Sequence, residues 1–166
     1  YLQDETGGMK VYLRSGDYGQ IALGDRLRVV GWTRDFYGEM EISVPDGGYI
    51  THLGPGMPPA PLFITAAGLT EENEGRLVQV AGAVARFEPR GLLLRDAHGS
   101  IPIYFPETLP WRRPYVEIGE LWAAQGVLGQ HAGEQAGGAG YQVIPRYRAD
   151  VSNAPAFLPV TGGAGR

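Results

Sequence analysis

An internal repeat is the feature that most constrains how this chain folds. Residues 1–4 and 9–13 match residues 93–96 and 101–105 at a constant shift of 92 positions, with the same order of apolar, acidic and glycine residues. Self-similarity at a fixed shift indicates that one supersecondary unit is present more than once. The sequence therefore predicts two copies of one fold.

The match continues towards the end of each copy if short loop insertions are allowed. Residues 23–25 match residues 118–120 at a shift of 95. Residues 39–42 are then aligned with residues 141–144, a shift of 102. The growing shift places the extra residues of the second copy in loops.

The second copy contains five stretches in which apolar and polar residues alternate, as expected for half-buried strands. Turn residues separate the stretches, since the chain has 26 Gly and 13 Pro, a pattern typical of all-β proteins. The predicted strands are 76–88, 91–96, 100–105, 120–130 and 140–148. Gly82 is predicted to mark a bend or a bulge in the long first strand. Five strands in this order predict a small Greek-key barrel of the OB type.

The first copy starts at the position of strand two, so the counterpart of strand one is missing from it. The predicted organisation is an incomplete OB barrel at 1–45, a linker with a short helix at 46–75, a complete OB barrel at 76–151 and an extended tail at 152–166. Within the linker, 44–63 is predicted as extended loop and 69–74 as a helix capped by Thr70. A barrel without its first strand would expose unpaired backbone and a slot in its core.

Three runs, at 1–8, 23–31 and 73–78, carry a family likeness in that order. They resemble the tandem OB-fold modules of secreted bacterial nucleases and of large bacterial surface proteins, including those with lamin-tail domains. The resemblance covers about residues 1–151. It implies a binding module located outside the cell or at the cell surface, and the nuclease domain of such proteins has no counterpart in this sequence.

A short motif lies in the tail. Leu158, Pro159, Val160, Thr161 and Gly162 are similar to the motif by which sortases attach Gram-positive-type surface proteins. The alternative is a tail rich in Pro and Gly that matches by chance, since five residues are a weak signal. No apolar run in the chain is long enough to span a bilayer as a helix.

Catalytic and metal-binding chemistry is not predicted. The chain has no cysteine, and His52, His98 and His131 fall in predicted loops without metal-ligand spacing. Asp4 and Asp96 recur in the repeat, but each precedes a glycine-containing turn, where an Asp side chain accepts local hydrogen bonds. We therefore expect no enzyme activity, no cofactor and no metal.

Nucleic-acid binding is predicted from basic and aromatic residues on the barrel faces. OB folds bind single strands on the face of strands two and three, where aromatic rings stack with bases and cations contact phosphates. The net charge of −4 and the lack of a dense basic stripe weigh against a strong phosphate binder. Taken singly, Tyr12, Tyr104 and Trp32 are better explained as covers of barrel edges or as packing between domains. It is the basic and aromatic residues taken together that indicate binding. The candidate residues are Lys10, Tyr12, Arg26, Arg28, Trp32, Arg34, Tyr37, Arg95, Tyr104, Arg112, Arg113, Arg146 and Arg148.

A structural role is the competing prediction. An incomplete barrel next to an apolar tail is an arrangement from which strand exchange can build a head-to-tail filament. Met9 and Val11 would lie in the accepting barrel, and Phe157, Leu158 and Val160 in the donated strand. Truncation of a longer protein explains the missing strand equally well.

Overall fold

The computed structural model describes residues 1–14, 19–45, 49–132 and 139–154, whose regular structure is almost entirely β. The strands of the first half are β1 (Leu2–Gln3), β2 (Gly8–Leu13), β3 (Arg26–Val29), β4 (Trp32–Phe36), β5 (Glu39–Val44), β6 (Ile50–Gly54) and β7 (Leu62–Phe63). The strands of the second half are β8 (Leu77–Glu88), β9 (Gly91–Arg95), β10 (Ser100–Tyr104), β11 (Leu121–Gln130), β12 (Tyr141–Ile144) and β13 (Val151–Asn153). Single 3₁₀ turns lie at Ala66–Gly68, Glu71–Asn73 and Arg148–Asp150. The predicted all-β class is confirmed.

The second half closes into a five-stranded barrel. β8 pairs with β9, β9 with β10 and β11 with β12, all antiparallel, whereas β10 pairs with β12 in parallel. The antiparallel pairing of β11 with β8 closes the barrel. This strand order is that of an OB barrel, so the fold predicted for this half is confirmed.

The buried core of the described chain lies in this barrel. Val78, Val80 and Val84 alternate along β8 and are at most 1% exposed. Every member of the buried apolar cluster falls between Ile64 and Val151. Burial of one aliphatic side chain contributes about 1.5–3 kcal/mol, so this cluster supplies most of the hydrophobic stabilisation.

The last barrel strand is shorter than predicted. The sequence predicts a strand to residue 148, but β12 ends at Ile144. Pro145 has no N–H to donate to a ladder. The next backbone amides, of Arg146 and Tyr147, donate to the Asp150 carboxylate at 2.9 and 3.1 Å. The chain therefore turns away from the sheet at Pro145.

A pairing irregularity was predicted at Gly82, but the structure places it elsewhere in β8. The register between β8 and β9 shifts between Val84 and Arg86, whereas Gly82 stays in register opposite Trp122. Gly82 has a different reason to be glycine, because a Cβ there would lie 2.6 Å from the carbonyl oxygen of Arg95.

The first half forms two smaller sheets. One has the order β1-β2-β5-β4, and the other pairs β3 with β6. β1 with β2 and β4 with β5 are antiparallel, and β2 with β5 is parallel. These pairings correspond to those of β9, β10, β12 and β11 in the barrel. Among the described residues, no strand occupies the place that β8 takes between β9 and β11.

The alignment predicted for the last strand of the first copy is wrong by one residue. In the first half, Val11 pairs with Ile42. In the barrel, Ile103, which matches Val11 at the shift of 92, pairs with Val143. Ile42 therefore matches Val143, which lies 101 positions later. The shift is thus 101 and not 102. A slip of one residue moves every side chain to the opposite face of a strand. Ile42 therefore takes the inward position of Val143, and Glu41 points outward.

The linker contains more regular structure than predicted. Residues 44–63, expected to be loop, include β6, which pairs with β3, and β7, which pairs in parallel with β8. The helix expected at 69–74 is a single 3₁₀ turn at Glu71–Asn73. Thr70 lies at its N-cap, but its side chain makes no capping hydrogen bond.

Backbone groups join the two halves. Gly8 and Gly75 lie so close that a Cβ on Gly8 would be 2.1 Å from the Gly75 carbonyl carbon. The Gly75 amide donates to the Leu128 carbonyl at 2.8 Å, and the Leu77 amide donates to the Gln3 side chain at 2.7 Å. The junction thus depends on close main-chain approach.

A carboxyl group at this junction makes stability depend on pH. Burial, followed by the charges of Glu71, Glu39 and Asp35, raises the pKa of Glu74 from 4.5 to about 7. A carboxyl whose pKa is higher in the folded state opposes folding once it ionises, so stability falls from pH 4.5 to pH 7. We expect Glu74→Gln to remove this fall and to raise the free energy of unfolding at pH 8 by about 1 kcal/mol.

Urea unfolding at pH 4.5 and pH 8 measures this effect. The amide of Gln can still accept the bond that Glu74 receives from the Met40 amide at 3.2 Å. Exposed Glu72 provides the control, Glu72→Gln, which should leave the difference between the two pH values unchanged. A Glu74→Gln variant that loses stability equally at both pH values would contradict the assignment.

Candidate nucleic-acid interface

The first group of predicted residues shares one sheet surface. On β2, β5 and β4, alternation directs Lys10, Tyr12, Trp32, Arg34 and Phe36 to the side opposite Val11 and Ile42. We call these five residues the β2–β4 face. The Arg34 guanidinium lies over the Tyr12 ring at 4.6 Å, and the Lys10 ammonium lies 4.9 Å from the centre of the Phe36 ring. The structure therefore brings these predicted residues together.

Two buried carboxylates neutralise the cations of the β2–β4 face. Lys10 Nζ lies 2.8 Å from Glu39 and 3.3 Å from Glu41, and Arg34 Nε donates to Glu41 at 2.6 Å. Glu39 and Glu41 are 4% and 1% exposed. Burial lowers the pKa of Lys10, but the hydrogen bonds and charges of Glu39 and Glu41 outweigh it and raise the pKa overall. The β2–β4 face thus has no surplus positive charge for phosphates.

Tyr37 belongs to the junction and not to this face. It has a positive φ of 57° in the turn between β4 and β5, which is uncommon outside glycine. Its ring packs on Phe36 and on His131, with centroids 4.8 and 4.9 Å apart. Its carbonyl accepts a bond from the Ala132 amide at 2.7 Å. These contacts tie the β4–β5 turn to the barrel.

Arg26 and Arg28 are exposed on β3, on either side of half-buried Leu27. In the part of the chain that the structure describes, neither guanidinium has an ion pair or hydrogen bond. No hydrogen bond or ring contact there joins them to the β2–β4 face. Among the described residues they are therefore a separate pair of arginines without an ionic partner.

The second half divides its predicted residues into exposed and structural ones. Arg95 is exposed on the outer face of β9, and Tyr104 on β10 bonds to the Arg90 side chain. Arg113 lies 4.6 Å from the centre of the Phe87 ring. Arg112, like Arg95, has no ionic partner among the described residues. Cations and aromatic rings therefore meet at the Gly91 end of β9, near Tyr104, Phe87 and Arg113. Arg95 lies at the opposite end of β9, paired with Ser100.

Arg146 and Arg148 have structural partners instead. Arg146 makes two bonds of 3.1 Å to the Asp150 carboxylate and lies over the Tyr147 ring. Arg148 donates to the carbonyl of Val151 at 3.1 Å. Their positive charges therefore serve mainly to hold the turn between β12 and β13.

The two recurring aspartates have the turn role that the sequence predicts. Asp4 accepts bonds from the Thr6 amide and hydroxyl, at 2.8 and 2.6 Å. Asp96 accepts bonds from the amides of His98 and Gly99. The hydroxyl and amides of the turn lower the pKa of Asp4. For Asp96, burial raises the pKa, and the accepted hydrogen bonds outweigh it. Both groups are thus committed to local structure.

All three histidines are exposed, and His98 and His131 lie outside the strands, as predicted. His52 lies on β6, not in a loop, and its Nε2 lies 2.9 Å from the carboxylate of Asp25. The backbone amide of Ala22, followed by His52, lowers the pKa of Asp25. Across the described ranges, no group of three or more His, Asp or Glu side chains has the geometry of a metal site.

Sequence reasoning missed Glu39, Glu41, Phe87 and Arg90. The signal for the two glutamates was available, because they alternate with Met40 and Ile42 on the strand that lies beside Lys10. Phe87 and Arg90 flank the short turn between β8 and β9 and showed no pattern in the sequence.

Comparison with known proteins finds similarity to solved structures only. No protein-family model matches the chain, and no curated protein matches it. The telomere capping protein Ten1 from Saccharomyces pombe is 13% identical with a TM-score of 0.41, covering 59% of this chain and 85% of that one. The hypothetical protein YgiW from E. coli is 14% identical with a TM-score of 0.41, covering 57% and 92%. An OBody bound to hen egg-white lysozyme is 16% identical with a TM-score of 0.44, covering 57% and 95%.

Proposed function

We propose that this chain is a non-catalytic tandem OB-fold module that binds nucleic acid, DNA in the first instance. The observation that carries the proposal is the set of exposed arginines without an ionic partner among the described residues: Arg26, Arg28, Arg95 and Arg112. Two of them lie on β3, Arg95 lies at the end of β9 that pairs with Ser100, and Arg112 precedes Arg113, which lies over the Phe87 ring. Exposed arginines suit the phosphates of a flexible strand, and the rings near Arg112 offer faces on which bases can stack.

The tandem reading treats the first half as an OB barrel that lacks its first strand. Its support is the shared pairing pattern, in which β2 and β5 are parallel just as β10 and β12 are. The β2–β4 face has no surplus charge, so in this half the contact with nucleic acid is assigned to Arg26 and Arg28.

A location outside the cell or at the cell surface is also proposed, from the resemblance to modules of secreted nucleases and surface proteins. No helix among the described residues is long and apolar enough to cross a membrane. The sortase-like motif at 158–162 lies outside the described residues, and attachment through it stays a prediction.

Charge reversal of β3 tests the binding proposal. We expect Arg26→Glu with Arg28→Glu to weaken binding of single-stranded DNA and to flatten its dependence on salt, because each lost phosphate contact removes about 0.7 from the slope of log K against log salt. Fluorescence anisotropy across a salt series measures both quantities.

Arg86→Glu is the control, since Arg86 is already paired with Glu88 at 2.6 Å. Arg86→Glu should change the salt slope less than the double substitution on β3. Arg95→Glu with Arg112→Glu reports on the two exposed arginines of the barrel in the same way. Unchanged affinity at low salt for both pairs of substitutions would remove the proposed interface.

A further inference from the structure

A cleft lies where the first half lacks a strand. In the barrel, β8 lies between β9 and β11. The counterpart of β9 in the first half is β1, and the counterpart of β11 is divided into β3, which matches the first residues of β11, and β4, which matches its last residues. Leu2 and Gln3 on β1 and Arg26 and Leu27 on β3 line one cleft of about 760 Å³. Within the described residues, β1 pairs only with β2 and β3 only with β6. Two unpaired strand edges therefore face the same space.

Side chains around this cleft are less covered than their counterparts in the barrel. Phe105 is 8% exposed, whereas Leu13, at the matching position, is 40% exposed. Ile103 is 2% exposed, and its counterpart Val11 is only half-buried. Of the described residues in 1–45, Val44 is the one apolar side chain that is fully buried. A sheet of this size needs further apolar cover to complete its core.

We propose that the cleft accepts a β-strand from a second copy of this chain, and that the strand is residues 156–160. In the barrel, β8 is antiparallel to both of its neighbours, so the donated strand is antiparallel to β1 and β3. Main-chain hydrogen bonds to the two edges hold such a strand, and alternate side chains fill the slot. This inference does not depend on the proposed nucleic-acid function.

The chemistry of residues 156–160 fits the slot. The sequence Ala-Phe-Leu-Pro-Val is the one apolar run outside the described residues; the other segments, 15–18, 46–48 and 133–138, consist mainly of Gly and polar residues. Alternation places Leu158 and Val160 on the same face, which we assign to the core. Pro159 lacks an N–H and costs one ladder bond.

The direction in which the chain leaves the barrel favours a donor from another copy. Along β13 the chain runs towards the position opposite Trp122 and away from Val127, which borders the cleft. Trp122 and Val127 are five residues apart on β11, a distance of about 17 Å. Leu158 lies five residues beyond Asn153 and reaches at most about 18 Å when fully extended. A tail that first has to reverse direction would therefore have few residues left to pair along β1 and β3 of its own chain.

One donor and one acceptor in each chain produce a head-to-tail contact. Such a contact is heterologous, and it generates an open polymer unless the rotation between copies closes a ring. We therefore expect the full chain to associate into oligomers whose size grows with concentration.

Two complementary variants test this inference. The donor variant has lost the donated strand, because it lacks residues 155–166, but it keeps the cleft. The acceptor variant carries Leu27→Glu, which places a charge in the cleft, but it keeps the tail. We expect each variant to be monomeric alone in sedimentation velocity, and an equimolar mixture to form a one-to-one complex and nothing larger. Leu121→Glu, at a surface position that is 47% exposed, is the control and should still form oligomers. A mixture that stays monomeric overturns the proposal.

A peptide experiment separates loss of binding from loss of folding. A synthetic peptide of residues 154–161 should bind the donor variant at one site, measured by calorimetry. Replacing Leu158 and Val160 of the peptide with Ser should weaken binding by about tenfold or more, whereas replacing Phe157 should have a smaller effect. A monomeric full chain contradicts donation by a second copy, whether or not the peptide binds the donor variant.

Discussion

Replacing Gly75 with alanine is expected to cause the largest loss of stability in this chain, about 4 kcal/mol. Gly75 has a φ of +74°, a conformation that costs a residue with a Cβ about 1 kcal/mol. The added Cβ would also lie 2.3 Å from the carbonyl carbon of Gly8. Because both partners are backbone at a main-chain junction, neither can move away without breaking the contact between the halves.

Substitutions at two other glycines distinguish the strain of the positive φ from the steric clash of the added Cβ. Gly119 has a φ of +90° but no atom within 4 Å of an added Cβ, so Gly119→Ala should cost only about 1 kcal/mol. An added Cβ on Gly8 would lie 2.1 Å from Gly75, so Gly8→Ala should cost about 3 kcal/mol through the clash. Urea unfolding of the three variants gives the ranking. A loss for Gly75→Ala no greater than for Gly119→Ala would mean that the junction relaxes freely.

The barrel could be predicted from sequence because its two signals agree. The repeat sets the number and order of the strands, and the alternation of Val78, Val80 and Val84 fixes which face is buried. Where only one signal was present, the prediction was less exact. The final strand was extended past Pro145, because the tendency of the Asp150 carboxylate to capture backbone amides shows no periodicity in the sequence.

The first half was harder to predict because its core is incomplete. Few residues of this half are buried, so no strong apolar pattern fixed the alignment of 39–42 with the last barrel strand. The predicted alignment was wrong by one residue, and it put Glu41 on the inner face where the structure has Ile42. β6 was missed because it lies in a segment rich in Gly and Pro and pairs with a distant strand. Such pairing depends on tertiary contacts and not on local propensity.

The candidate site could be predicted only in part. Alternation placed Lys10 and Tyr12 on one surface, as the structure has them, and the structure adds Arg34 to that surface. Their charge state depends on Glu39 and Glu41, which approach only after β5 pairs with β2 and β4. A count of basic residues therefore overstated the positive charge available there, whereas Arg26 and Arg28 have no ionic partner within the part of the chain that the structure describes.

Replacing Lys10 with methionine is expected to cost about 3 kcal/mol, because it removes a shared partner of two buried carboxylates. Glu39 keeps its bond from the Tyr1 hydroxyl at 2.8 Å, and Glu41 keeps Arg34, but neither retains the ammonium between them. Arg34→Met is the matched control. The Arg34 side chain is 45% exposed, so water screens its pair with Glu41 and the loss should be about 1 kcal/mol.

Urea unfolding at pH 7 compares the two variants. Adding Glu41→Gln to Lys10→Met should recover part of the loss, since a neutral amide needs no counter-charge. The same variants also test how binding is divided over the surface. Since Glu39 and Glu41 already neutralise Lys10, Lys10→Met should leave DNA affinity and its salt slope unchanged while Arg26→Glu lowers both. Equal losses of stability for Lys10→Met and Arg34→Met would show that Lys10 does not hold the buried carboxylates.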